Sequence, residues 1–304
     1  MDHSPSHPRF PARWLSAPLL HRELVAYARD RRTHILFGAA FAVAAVAAFL
    51  LYTYGASSLL RRAGRPDGNG STLFEWLGVV QIAFGVWLAP LLLLLRTTDE
   101  QGRTARELMH AALIEERRIV VTRFTGALAL VLLFWFVTLP FYGFVLLLGG
   151  VEASEIVAAA GIVFASSALA AAAALLTVAT AASPVRALLG YGAFAALLTI
   201  GLPLFTAAAS AGALTALGPA VRSGALSQAS VVIEVGLGLL NSLAPVSALR
   251  DGRAYFAASG DLWEFRRPLF DLRTAAALPA PFLTLTVMHI AGAAALLRAA
   301  MRRG

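Results

Sequence analysis

The chain contains no cysteine and no lysine; all 25 of its basic residues are arginine. Without cysteine there can be no disulfide, no thiolate nucleophile and no cysteine-ligated metal. Without lysine there is no phosphate loop ending in Gly-Lys-Ser/Thr and no lysine Schiff base. If the protein draws on ATP, another chain must bind the ATP. Charge is scarce as well: 14% of the 304 residues are charged, against about 25% in a soluble domain. The remainder is 59% hydrophobic, gathered in long runs, as in a multi-span membrane protein. No apolar signal core interrupts the first 34 residues, so the first span is expected to stay in the mature chain.

Residues 1–13 are proline-rich and polar and read as a disordered tail. Residues 14–33 read as an amphipathic helix lying flat in the headgroup region. Leu20, Leu24 and Tyr27 recur on one side; Arg22, Glu23, Arg29 and Asp30 share the other. Residues 34–304 then form one transmembrane domain. Six apolar runs, at 35–54, 73–95, 124–149, 156–182, 187–211 and 275–297, are each long enough to cross about 30 Å of hydrocarbon. Pro90, Pro140, Pro203 and Pro279 interrupt them, which membrane helices tolerate. The alanine-rich fourth run, and the first run of similar character, predict close helix packing inside the bundle. The segment 212–274 contains an apolar stretch, 228–249, that tempts a seventh span. Glu234, Asn241 and Pro245 interrupt it, and the reading adopted is two short re-entrant helices broken near 241–245, followed by an outer cap.

Arginine distribution sets the expected orientation. With a cytoplasmic amino terminus, 16 arginines lie inside and nine outside; leaving aside the 63-residue segment 212–274, the count becomes 16 against three. Both termini are therefore expected in the cytoplasm of a cell-membrane protein. The basic surplus signals topology and not nucleic-acid binding.

Few residues invite chemistry. Ser166 and Ser167 lie in the fourth run and His289 in the sixth, with no spacing that links them. Packing explains the serines and one hydrogen bond across helices explains the histidine. No His-Glu-x-x-His motif occurs and no metal site is expected. Glu75, Glu234 and His289 are candidate pathway residues for a cation or proton; Glu75 also reads simply as an interface residue.

That leaves one polar island, Arg96 to Arg123, holding six of the 25 arginines and five of the 17 acids. A charge at mid-bilayer costs roughly 2.5–3.5 kcal/mol, so this stretch must lie in water between the second and third runs. At 28 residues it is too long for a simple turn. Thr104 with Glu107 three residues on forms a capping box for a helix. A second helix begins near Glu115, with Arg117, Arg118 and Arg123 anchoring it at the headgroups.

At these residues the chain resembles the permease subunits of type-2 ABC transporters. The matching positions are Glu100, Gly102, Thr104, Glu107, Leu108, Ile114, Ile119, Val120 and Arg123; Ala112-Leu113 stands where the family has Thr-Pro. The amino-terminal LLHRELVAYARDRR is similar to the family's interfacial elbow helix, and the outer segment 212–274 falls where the family has re-entrant helices. The resemblance implies an all-α integral membrane fold: a six-helix bundle with an elbow helix, a cytoplasmic coupling helix between spans two and three, and an outer re-entrant or cap segment. It implies no enzyme activity and no cofactor in this chain, with ATP and Mg bound by a separate cytoplasmic ATPase. The partners would be that ATPase, a second permease copy or paralogue, and membrane lipid. Glu100, Arg103, Thr104, Arg106, Glu107, Leu108, Glu115 and Glu116 would dock on the ATPase. Arg22, Arg29, Arg31, Arg32, Arg117, Arg118 and Arg123 would anchor at the membrane interface. Competing readings are a proton-coupled secondary carrier and a non-transport scaffold or sensor.

Overall fold

The computed structural model describes residues 17–59, 69–100, 116–209, 211, 237, 240–250, 264–268, 275–279 and 281–303. Helices α1 (Ala17–Arg29), α2 (Arg31–Leu59), α3 (Asn69–Ala83), α4 (Ala89–Glu100), α5 (Glu116–Leu148), α6 (Ala153–Thr180), α7 (Pro184–Ala196) and α8 (Pro281–Arg303) account for most of them. Five helical stretches among the described residues are long and apolar enough to cross a membrane: 70–96, 117–148, 153–180, 184–209 and 283–302. The chain is a helical, multi-pass membrane protein. Helix α2, 29 residues long, covers the first apolar run.

The amphipathic helix is shorter than expected. It stops at Arg29, because Asp30 ends one helix and caps the next: its Oδ1 accepts the Arg32 amide at 2.9 Å. The two structures at 264–279 also depart from the all-α expectation. Strands β1 (Glu264–Pro268) and β2 (Ala275–Pro279) pair antiparallel, Glu264 opposite Pro279 and Pro268 opposite Ala275. The sixth apolar run therefore starts as a strand. Its helix begins at Pro281 and continues to Arg303. An apolar Ala-Ala-Ala-Leu carries no periodicity that separates strand from helix.

Helix α6 is the centre of the bundle. Ala159, Ala165, Ala170, Ala171, Ala172 and Ala174 are all buried, so neighbouring backbones approach closely. The first run does not share this role. Ala40 and Ala44 are buried, while the large residues Ile35, Phe41, Val43, Val46 and Phe49 face outward. Helix α2 attaches instead through Phe37, whose ring meets Phe84 edge-on at 4.9 Å and Phe134 at 5.6 Å. Phe84 and Phe134 stack at 4.0 Å. These three rings join α2, the second span and α5.

A widened π turn precedes each of Pro90 and Pro203: Phe84–Leu88 and Leu197–Gly201. The amide of Ala89 reaches back five residues to the Phe84 carbonyl, and that of Leu202 to Leu197. A proline clashes with the carbonyl four residues earlier and offers it no N–H; a π turn relieves the clash. For Pro90 that carbonyl belongs to Val86, and the buried Tyr191 hydroxyl of α7 donates to it. The orphaned acceptor in the second span is thus satisfied by the fifth. Pro140 sits inside α5 without interrupting it. Helix α5 ends where Gly149 and Gly150 take φ of 75° and 81°, left-handed values that favour glycine.

Candidate functional site

Three polar assemblies stand out among the described residues. The first lies where α4 meets the polar island. Arg96, in the last apolar turn before the charged stretch, donates through Nη1 to Glu23 Oε2 at 3.1 Å and to the Glu23 carbonyl at 3.4 Å. Its guanidinium carbon also sits 4.4 Å from the centroid of the Tyr27 ring. A planar guanidinium suits this double duty, since one edge bonds while its face stacks. Tyr27 is 2% exposed and packs with Leu92, Leu130, Leu36 and Phe37. Gly126 of α5 lies beside the ring: a Cβ there would make an ordinary contact with it at 3.4 Å. Helix α1 is therefore bolted to the end of α4 and to α5.

This arrangement corrects the expected polarity of α1. Glu23 faces the protein, not the solvent side, and Leu24 is 38% exposed. Glu23 and Tyr27 lie one turn apart, which is what one face requires. Burial pushes the Tyr27 hydroxyl up to about 12, an effect the nearby Arg96 charge only partly opposes. The unfolded tyrosine ionises near pH 10 and the docked one near 12, so stability is intact below pH 10 and lost as pH rises toward 12. The loss is about 3 kcal/mol once both forms are ionised. Melting of the detergent-solubilised protein should fall more steeply across pH 10–12 for wild type than for Tyr27→Phe; parallel curves would refute the assignment.

The second assembly lies at mid-depth. The Ser166 hydroxyl is 3.2 Å from His289 Nδ1, and His289 Nε2 is 2.9 Å from the Leu243 carbonyl. A carbonyl can only accept, so Nε2 carries the proton and Nδ1 accepts from Ser166. Both side chains are buried, at 0% and 3% exposure. No spacing in the sequence joins Ser166 with His289, and the histidine makes two bonds where one was expected. Nearby, the Thr206 hydroxyl donates to Asn241 Oδ1 at 2.9 Å. A third polar group of residues sits between α3 and α5: Gln81 Nε2 donates to Thr138 Oγ1 and Tyr142 donates to Gln81 Oε1, both at 2.7 Å.

Compared with known proteins, the chain matches no family model, no curated protein and no solved structure. The residues themselves must carry the functional reading.

The remaining expected site residues fall as follows. Arg103, Thr104, Arg106, Glu107, Leu108, Glu115 and Glu234 lie outside the described residues. Glu100 is the last residue of α4 and Glu116 the first of α5. Arg22, Arg29, Arg31, Arg32, Arg117 and Arg118 are exposed, and Arg123 is half-buried on the turn of α5 before Gly126. Glu75 is half-buried in the second turn of α3. Sequence reasoning missed Glu23, Tyr27 and Arg96 as a unit. The available signal was Arg96 itself, a lone cation closing an apolar run and needing a counter-charge close to the membrane.

Proposed function

We propose that this chain is the membrane-spanning permease subunit of an ATP-driven ABC transporter, an exporter whose ATP is hydrolysed by a separate cytoplasmic ATPase. The observation that carries the reading is the seating of α1 on Arg96. The charged stretch leaves the membrane at a span whose final turn is tied to an amphipathic helix, so a force on 97–115 reaches α1, α4 and α5 together. In this reading α2 also crosses the membrane, which brings the spans to six, and both termini are cytoplasmic. A second permease copy or paralogue completes the bundle, and the charges of 100–116 give the ATPase contact its specificity more than its strength.

Affinity capture of the full chain from its own membrane should retain a P-loop ATPase, and the paired reversal Arg106→Glu, Glu107→Arg should lower the ATP-driven activity of that complex at least about tenfold, as expected for a lost interfacial charge pair. Capture without an ATPase, or activity unaltered by the reversal, sinks the proposal. A proton-coupled carrier is the second reading, favoured by the buried His289 with its Ser166 partner. It predicts uptake into proteoliposomes under a pH gradient with no ATPase present.

A further inference from the structure

The segment 240–250 is helical on both sides of a turn at Leu243–Ala244, and Pro245 opens its second half. The turn falls within the range where the sequence places a break. Its depth is the unexpected part. Ser166 is the fourteenth of the 28 residues of α6, and through His289 it is linked to the Leu243 carbonyl. At 1.5 Å per residue the tip lies about 20 Å from either end of α6, near the middle of a bilayer and not in one leaflet.

A broken helix at that depth leaves carbonyls that hydrocarbon cannot satisfy. Leu243 is such a case, and His289 supplies the donor. Two residues earlier, the side-chain oxygen of Asn241 accepts from the Thr206 hydroxyl. On the far side Leu249 packs against Gly78 of α3, so closely that a Cβ at Gly78 would collide with it. Ala244 and Ala248 are fully buried. Three spans thus grip one short segment, two of them through side-chain hydrogen bonds.

We propose that 240–250 is a releasable stopper in the bundle, latched at its tip by His289, and that its withdrawal opens a route for an amphipathic solute past Ser166 and His289. Ser166 is a positioning residue: by donating to Nδ1 it keeps the Nε2 proton aimed at Leu243. The route rests on the transport reading above, whereas the latch is tested on this chain alone, so failure of one is distinguishable from failure of the other.

The absence of cysteine makes the test direct. Ala248→Cys places a single thiol inside the seated segment, and Ala165→Cys places a reference thiol in α6. Each is introduced into the full chain in lipid nanodiscs and exposed to a small water-soluble thiol reagent. Adding His289→Leu should speed modification at position 248 about threefold to about fifteenfold, the range for losing one intramembrane hydrogen bond, and leave position 165 protected. His289→Gln, whose amide can still donate, should restore protection, and Thr206→Val should loosen position 248 without touching α8. Unchanged protection at 248 in both His289→Leu and Thr206→Val overturns the proposal. So does an equal rise at 165, which would make His289 a support of the whole bundle and not a latch.

Discussion

Arg96→Leu is expected to destabilise the protein by about 3 kcal/mol, the low end for breaking a buried ion pair. The two side chains keep 18% and 17% of their surface exposed, which softens the loss. The substitution strands the Glu23 carboxylate in a site built for a cation and removes the group stacked on Tyr27. Arg96→Lys should cost less, about 1 kcal/mol, since a point charge still meets Glu23 but cannot stack and bond at once. The measurement is thermal unfolding in detergent of Arg96→Leu, Glu23→Leu and the double variant. The double variant should be less damaged than the sum of the singles, because neither charge is then left alone. Strict additivity would show that Arg96 and Glu23 do not act as a pair.

Gly85→Ala should cost about 1–3 kcal/mol, a large effect for one methyl group. Gly85 lies in the first π turn, and a Cβ there would fall on Ser167 Oγ of α6. Ser167 cannot simply turn away, because its hydroxyl donates to the Val163 carbonyl at 2.6 Å. The compensating exchange Gly85→Ala with Ser167→Gly should recover most of the loss in the same unfolding assay. If Gly85→Ala alone melts like wild type, the close approach of the second span to α6 is not what the geometry indicates.

The apolar runs made the helices legible, since nothing else satisfies a backbone in hydrocarbon. The alanines of 168–174 likewise announced a helix at the centre of the bundle. Where the reading fell short, the deciding contact joined residues far apart in the chain. Ser166 and His289 are separated by 123 positions, and Tyr191 and Val86 by 105. No local pattern links such pairs. The first run differs for another reason: small residues permit close packing but do not compel it, and in α2 Ala40 and Ala44 are buried while Gly38, Ala39 and Ala42 are exposed. The helix break at Asp30 was readable in principle from a residue type that caps helices, but the charged run around it looked like one continuous polar face. For 96–123, legibility stopped at composition: its charges exclude it from hydrocarbon.

The two π turns have a consequence for how the spans are cut to length. Each contributes one residue beyond the count of a regular helix, and one residue is worth about 100° of rotation about the axis. Everything after Leu88 is therefore turned by that angle relative to what α3 alone would dictate. Gln81 before the offset points at α5, and Arg96 after it points at α1. The second span thus works as two segments keyed at different angles on one shaft, and Pro90 with its borrowed Tyr191 partner marks the key. Were Phe84–Leu88 to wind as a regular helix with no residue lost, Arg96 would face away from Glu23 even with every side chain of the clamp retained.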